Sequence, residues 1–423
     1  MPLLDQLERR GMIEQVTHRA ALDELLSKPN ASIYIGFDPT SDSLHAGSLV
    51  PALMLARFQR AGHRPIVLIG GATGMIGDPS GRSAERTLMT TEMVRENSQG
   101  IARQLARFVS FEGPNAALMV NNADWTSPIS YLEWLRDVGK HFTVNYMLAK
   151  ESVRRRLEDR EHGISYTEFS YMLLQAYDFL HLFNTYGCRI QGGGSDQWGN
   201  ITAGAELIRK VEGEEAFGIT FPLLSTASGE KFGKSAGNAI WLDAAKTSPY
   251  QFYQYWINTD DRDVERFLNL FTFLEDDEIA RLSAEHRAAP EKRIGQKKLA
   301  EEVTRVVHGD DALAPAMKAS EVLFGGDMSG LTDRDLEDIF RDVPSFTVSL
   351  GAGLKMVEAM VAAGAAKSKS EAIRLISGGG VYLNNRRVES ADATLRRENL
   401  ASETMFVLRV GKKSYFLGKI GSR

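Results

Sequence analysis

Residues 33–69 read IYIGFDPTSDSLHAGSLVPALMLARFQRAGHRPIVLI, and their pattern decides the fold. IYIGF (33–37) and IVLI (66–69) are short apolar runs bounded by Gly, Pro and Asp, the pattern of strands buried on both faces. Between them HAGSLVPALMLARFQRAG repeats its apolar residues at helical spacing and stops at a glycine. Strand, helix and strand in so short a stretch make a βαβ unit. The expected fold is therefore α/β, with a doubly wound, parallel, Rossmann-like sheet.

Working outward, the 423 residues predict more than one domain. Residues 1–247 are expected to form the Rossmann-like domain, with a mostly helical insertion at about 80–190. Residues 248–325 read as helical, and 326–353 carry the Gly, Pro and Ser signals of a connector. From 354 onward the chain reads as two short helices, a Gly-rich turn, a strand and a hairpin around Gly411 and Lys412, a small α+β domain. Hydrophobic residues make up 43% and charged residues 25%, values of an ordinary soluble protein. The single cysteine, Cys188, excludes an internal disulfide and any multi-cysteine zinc site. No apolar run approaches the roughly 18 residues of a membrane span, and the N-terminus lacks a signal-peptide core. A cytoplasmic location is expected.

The net charge of −5 conceals an asymmetry. From Leu354 to Arg423 there are 13 Lys and Arg against 6 Asp and Glu, a balance of +7, whereas residues 1–353 carry 37 against 49, or −12. A basic tail on an acidic body points to a polyanion partner, although a merely solvated tail has the same composition.

Two segments carry candidate chemistry. HAGS (45–48) follows the first strand and opens a helix, whose free N–H groups and positive dipole end suit a phosphate. Gly47 allows close approach and His45 supplies a donor; an ordinary capped helix would look the same. KFGKS (231–235) places Lys231 and Lys234 three apart on a glycine-containing loop. Two such cations could neutralise a triphosphate as charge moves to leaving pyrophosphate, and a solvated loop is the plain alternative. In FSYMLLQAYDFLHLF, Tyr171, Gln175 and Asp178 share one stripe of an otherwise apolar helix, and buried polar groups of that kind need a ligand or partners.

Taken together the motifs resemble the bacterial tyrosyl-tRNA synthetases, class I aminoacyl-tRNA synthetases. HAGS stands where that class carries His-Ile-Gly-His, and KFGKS where it carries Lys-Met-Ser-Lys-Ser. FDPTSDSLH, GGATGMIGDPSGRSAERT, RDVGKHFTVNYM, TEFSYMLLQAYDF, GGSDQWGNITAG and KTSPYQFYQYWINTDDRDV follow in the family's order. The resemblance spans nearly the whole chain. It implies a tyrosine–tRNA ligase that joins L-tyrosine to ATP as tyrosyl-adenylate, releases pyrophosphate and transfers tyrosine to the 3′ end of tRNA(Tyr). Tyr171, Gln175 and Asp78 are then expected at the α-ammonium, Asp178 and Tyr34 at the phenolic hydroxyl, and Gln197 near the reacting carboxylate and α-phosphate. ATP is expected against Asp38, Thr40, His45, Gly47, Ser48, Gly193, Asp196, Lys231, Lys234 and Ser235, with Asp196 on the ribose. Arg82 and Arg86 join Lys231 and Lys234 as candidates for the pyrophosphate.

Mg²⁺ is implied with the triphosphate, and no zinc or other protein-bound metal. Lys367, Lys369, Arg374, Arg386, Arg387, Lys412 and Lys413 form the expected tRNA surface of a tail resembling a ribosomal small-subunit module. Arg209 and Lys210 are candidates for the acceptor end. The resemblance also implies anticodon recognition by 248–325, a homodimer joined around 130–150, and no membrane partner.

Three positions depart from the family's usual pattern: Ser48 for the second signature histidine, Ile35 for a frequent cysteine, and Ala123 for an aromatic. None removes a charge. Ser48 motivates one alternative, a catalytically decayed RNA-binding relative, against which the retained Asp78, Asp178, Lys231 and Lys234 stand. A tryptophan enzyme is disfavoured because Asp178 and Tyr34 suit a hydroxyl. GATGMIG (71–77) and YMLAK (146–150) imitate dehydrogenase motifs, but the glycine turn does not open the fold and the Tyr–Lys pair follows too soon.

Overall fold

The structure, a computed structural model, describes residues 1–423 except 81–88, 159–162, 230–231, 236–237, 324, 342, 352, 412–413 and 422–423. Its chain folds as two compact units, one of residues 1–243 with 259–302, the other of 244–258 with 303–423.

The first unit is built on a six-stranded sheet of β1 (Gln15–Val16), β2 (Ser32–Phe37), β3 (Arg64–Ile69), β4 (Leu118–Asn121), β5 (Ile190–Gly194) and β6 (Phe217–Phe221). The spatial order is β1-β6-β5-β2-β3-β4, parallel except for β1. Both expected strands are present, and helix Leu49–Arg60 joins them with nearly every residue of its apolar stripe buried. From β2 the chain winds outward through β3 and β4, then returns to place β5 on β2's other side. The crevice beyond the strand ends opens where the winding reverses, between β2 and β5. Asp38 lies just past β2 and Asp196 just past β5, so the topology alone brings them to one place.

Helix Tyr166–Tyr186 carries the polar stripe. Ser165 caps it by accepting from the Glu168 amide, and Gly187 ends it at φ +63, a left-handed conformation glycine adopts without a Cβ clash. It packs with helix Trp198–Glu212 in a core that includes Tyr34, Phe179, Leu182, Ala203 and Leu207. At its start Glu168 meets Arg156, both 2% exposed, with N–O 2.8 Å. A buried pair of this kind costs desolvation of both charges, so its contribution is to one particular placement of the helix rather than to raw stability.

The second unit contains helices Pro249–Ile257, Asp310–Leu323 and Asp333–Ile339, and a five-stranded sheet. That sheet runs in the order Arg386–Arg387, Val381–Leu383, Met405–Val410, Ser414–Ile420, Ser345–Val348. Helices Met356–Ala362 and Lys369–Ser377 cover a core around Phe406 and Leu408. The hairpin of the sequence reading is the Met405–Ile420 pair of strands.

Two expectations need correction. Residues 326–353 are not an open connector: Ser345–Val348 is a strand of the sheet, pairing parallel with Leu417–Ile420, and Leu336, Ile339 and Phe340 are buried against Val407 and Leu417. Turn-forming residues hid a short edge strand whose partner lies some 70 positions away by roughly counting along the chain, and edge strands need little hydrophobic length of their own. The helical stretch 248–325 does not stay together either; residues 259–302 fold with the first unit and its two ends with the second.

If the segment is core, Phe340→Ala should destabilise the second unit by about 3–5 kcal/mol. Denaturant unfolding followed by Tyr415 and Phe340 neighbourhood signals in amide exchange reads this directly; a loss inside the error of the midpoint would return 326–353 to the status of a connector.

Candidate active site

The crevice between β2 and β5 is a cavity of about 740 Å³ within the first unit. Every expected tyrosine-binding residue lines it: Tyr34, Asp78, Tyr171, Gln175, Asp178 and Gln197. So do the expected nucleotide residues Asp38, Thr40, His45, Gly47, Ser48, Gly193 and Asp196. Residues spread over some 160 positions of sequence, by roughly counting from Tyr34 to Gln197, meet because β2, β5 and the intervening helix end at one crevice.

Asp178 lines the cavity and is 1% exposed. Its Oδ2 accepts from Asn122 Nδ2 at 2.9 Å and its Oδ1 from Trp125 Nε1 at 2.8 Å. Burial raises its pKa to about 7, while the two hydrogen bonds pull the other way and the Asp38 charge adds slightly to the rise. Tyr34, also buried, has its phenol pushed well above the usual range, first by burial and then by the Asp178 charge. The Tyr34 hydroxyl has no hydrogen-bond partner among the described residues. A buried hydroxyl left unpaired costs about 1–3 kcal/mol, so a partner from outside the chain is the natural reading.

Nearer the mouth the polar stripe is tied into a network. Tyr171 Oη donates to Asp38 Oδ2 at 2.8 Å, and Thr73 Oγ1 to Asp38 Oδ1 at 2.7 Å. Asn122 Nδ2 also donates to Thr73 at 3.0 Å, which connects Asp38 to Asp178 through two side chains. Gln197 Nε2 donates to Asp78 Oδ2 at 2.6 Å, and Asn200 Nδ2 donates to both Gln175 Oε1 and Gln197 Oε1 at 3.1 Å. The cluster of Asp38, Asp78 and Asp196 makes the mouth acidic, a suitable seat for an ammonium group. Asp196 has its pKa raised by burial and by the neighbouring Asp78.

The HAGS turn is set by its own histidine. The Gly47 amide donates to His45 Nδ1 at 3.0 Å, so the Nδ1 lone pair is in use and a neutral ring carries its proton on Nε2. His45 bridges to Trp241, and Ala46 N donates to the Ile240 carbonyl at 2.7 Å. The segment after KFGKS is thereby stitched to HAGS. Lys234–Ser235 pairs antiparallel with Asn238–Ala239. Arg82, Arg86 and Lys231 lie outside the described residues, as do the side chains of Lys234 and Ser235.

On the sequence-predicted RNA surfaces, Lys367, Lys369, Arg374, Arg386 and Arg387 are exposed on the second unit. Lys369 pairs with Glu358 at 2.6 Å, and Arg386 lies 3.6 Å from Asp327. Lys412 and Lys413 lie outside the described residues. Arg209 makes a two-pronged contact with Glu206, and Lys210 donates to the His141 carbonyl at 2.8 Å, so both are engaged within the chain.

Sequence reasoning missed Gln191, Thr73 and Asn200. Gln191 faces Tyr34 across the β2–β5 register, lines the cavity and has a buried Oε1 without a hydrogen-bond partner among the described residues. Its signal was present as a lone polar residue inside a buried strand. Asn122 and Trp125 are the residues that hold Asp178; neither borders the cavity. Among the described residues no group of three His, Cys, Asp or Glu is placed to hold a metal, and no helix is long and apolar enough to cross a membrane.

A parallel sheet with its crevice at the reversal point, a histidine–glycine helix opening on one side and a lysine loop stitched to it define a class I synthetase. Comparison with known proteins agrees. A family model described as tRNA synthetases class I (W and Y) matches residues 26–325, and one described as the tyrosine–tRNA ligase SYY-like C-terminal domain matches 335–418. The chain is 55% identical over 419 residues to a tyrosine–tRNA ligase of Bacillus caldotenax, covering 99% of each, and 52% identical over 422 residues to that of Roseiflexus castenholzii, covering 98% of each. Among solved structures, a C-terminally truncated Aspergillus nidulans mitochondrial tyrosyl-tRNA synthetase superposes with TM-score 0.69 at 32% identity, covering 76% of this chain and 94% of that one. The chain belongs to the class I tRNA synthetases of the tryptophan and tyrosine branch. Its function is that of the tyrosine–tRNA ligases within that branch.

The Asp178 shift carries a sign. The folded chain holds this proton more tightly than the unfolded one, so the group favours folding least once both states are ionised. Its contribution is lost as pH rises from about the ordinary carboxylate range to about 7. The melting temperature of the ligand-free protein should therefore fall more between pH 5 and pH 8 than that of Asp178→Asn; parallel slopes would mean that Asp178 is ionised throughout.

Proposed function

We propose that the crevice binds L-tyrosine with its ring between β2 and helix Tyr166–Tyr186 and its hydroxyl between Tyr34 and Asp178. The observation that carries this reading is the buried, unpartnered Tyr34 hydroxyl beside a buried carboxylate. A tyrosine phenol can donate to Asp178 and accept from Tyr34, satisfying both. A phenylalanine ring would leave each desolvated and unpaired, and an indole would present its N–H elsewhere. Tyr171, Gln175 and Asp78 then face the α-ammonium, and the carboxylate projects toward Gln197 and the nucleotide.

ATP lies with its phosphates at the helix opened by HAGS and its ribose toward Asp196. The tyrosine carboxylate oxygen attacks the α-phosphorus in line; the bond to the bridging oxygen breaks and pyrophosphate leaves. The terminal ribose hydroxyl of tRNA next attacks the acyl carbon of tyrosyl-adenylate and AMP departs. The chain supplies no nucleophile to either step. His45 Nε2–H, the positive end of the helix that HAGS opens, and Lys231, Lys234, Arg82 and Arg86 meet the charge that develops on the phosphate oxygens, which are the interactions that lower the barrier. Mg²⁺ arriving with the triphosphate would screen its charge.

The basic face around Lys367, Lys369, Arg374, Arg386 and Arg387 binds tRNA(Tyr), with Lys412 and Lys413 alongside, and residues 248–325 contact the anticodon region. Arg209 and Lys210 reach the acceptor end on release from Glu206 and His141. The enzyme acts as a cytoplasmic homodimer joined around residues 130–150, where Tyr131, Leu132 and Val144 are 63%, 77% and 60% exposed. Large apolar side chains gathered like this on one segment favour a protein partner.

Exchange of labelled pyrophosphate into ATP without tRNA tests the first step, with tyrosine, phenylalanine and tryptophan in parallel. Tyrosine alone should support it; exchange with none of the three from folded protein would leave only an RNA-binding role. Lys234→Ala should slow tyrosine activation far more than it weakens ATP binding, and equal losses in both would reduce the loop to a ground-state clamp.

A further inference from the structure

The KFGKS motif has a residue between its lysines whose position is unlike that of a solvated loop. Phe232 is 4% exposed. Its ring stacks on Phe271 at 5.1 Å and 12° and meets Phe267 edge-on at 5.1 Å and 70°. Those two rings are themselves perpendicular neighbours at 5.5 Å on helix Val264–Phe271. Aromatic trios of this geometry contribute beyond their buried area, about 0.5–1.5 kcal/mol per pair.

The same helix grips the chain just before the motif. Asp263 Oδ2 accepts from the Ala227 amide at 2.7 Å, and Arg266 Nη1 donates to the Ser225 carbonyl at 3.2 Å. After Phe232, Gly233 adopts φ +83, and its carbonyl accepts from the Ile240 amide at 2.9 Å. A Cβ on Gly233 would lie 3.0 Å from the Gly47 nitrogen, so the two signature glycines touch backbone to backbone. The helix that HAGS opens, Leu49–Arg60, closes the circuit at its other end: Arg57 donates to the Asn269 carbonyl at 3.2 Å and to the Thr272 carbonyl, the C-terminal end of helix Val264–Phe271. One helix, from a segment far along the chain, is thus braced by the first signature and carries the second.

We propose that Phe232 is the positioning residue of the lysine motif: its ring seats the loop on helix Val264–Phe271 and so sets where the flanking Lys231 and Lys234 stand relative to His45 and Gly47. The proposal rests on the reading of those lysines as ligands of the leaving pyrophosphate. An aromatic ring has only two side-chain torsions, so seating it in a socket fixes the loop at low entropic cost, whereas a lysine side chain has four torsions to restrict. A misplacement of about 1 Å in such a charge costs on the order of 100-fold in rate.

Single-turnover formation of tyrosyl-adenylate by the full-length protein tests this, with Phe232→Ala, Phe232→Leu, Lys234→Ala and the Phe232→Ala/Lys234→Ala double variant. Phe232→Ala should slow adenylate formation roughly 10- to 100-fold with tyrosine dissociation unchanged, and Phe232→Leu, which keeps the socket filled, should recover much of the loss. The double variant should be little slower than Lys234→Ala alone, because a lysine that is absent cannot be misplaced. If Lys234→Ala is slow and Phe232→Ala is within twofold of the parent by that assay, Phe232 merely packs and the proposal fails by itself. Should Lys234→Ala also react at the parent rate, the lysine reading falls and takes the proposal with it. Equal losses in tyrosine binding and adenylate formation for Phe232→Leu would mark a general structural defect and overturn it as well.

Discussion

Burying an ionisable carboxylate is unfavourable unless strong donors meet it, and one end of this crevice is arranged around meeting the one on Asp178. Asn122 and Trp125 each give it a hydrogen bond, and both are held from behind. Asn122 accepts from the Ala72 amide at 2.7 Å, and the Trp125 ring lies stacked on His181 at 4.3 Å. The two donors leave the carboxylate ready for one more, on the side where the Tyr34 hydroxyl also lacks a partner. Burial keeps its pKa near 7 even so. A further hydrogen-bonding group on that side would satisfy both.

The HAGS side depends on a different constraint, the placement of the lysine motif. Lysines are good at neutralising charge and poor at staying in place. Here their loop is joined to HAGS through the Ile240 and Gly233 backbone groups and to helix Val264–Phe271 through Phe232. Both signature segments therefore share one frame. Asp38 links this side to the Asp178 end, because Tyr171 and Thr73 both donate to it and Thr73 in turn is held by the same Asn122 that holds Asp178.

Much of this was legible in the linear chain. The β2–helix–β3 unit, the stripe of Tyr171, Gln175 and Asp178, and the terminal hairpin all rest on local periodicity, and all are present. What escaped was non-local. Gln191 looked like a stray polar residue until β5 was paired with β2 and set it opposite Tyr34. Ser345–Val348 looked like turn until Ser414–Ile420 offered it an edge. Nothing local to Asn122 and Trp125 reveals that their target is the Asp178 side chain.

The sequence by itself determined the class of fold, because short apolar runs and a 3.6-residue period are local patterns, and its resemblance to a known family implied most of the residues that line the crevice. Only the tertiary structure decided which polar groups are already satisfied and which are not: Arg209 and Lys210 engaged, Tyr34 and Gln191 open, Phe232 seated in a socket formed more than thirty positions later, by roughly counting. Satisfaction of a buried group is a property of its surroundings in space, and no local pattern contains it.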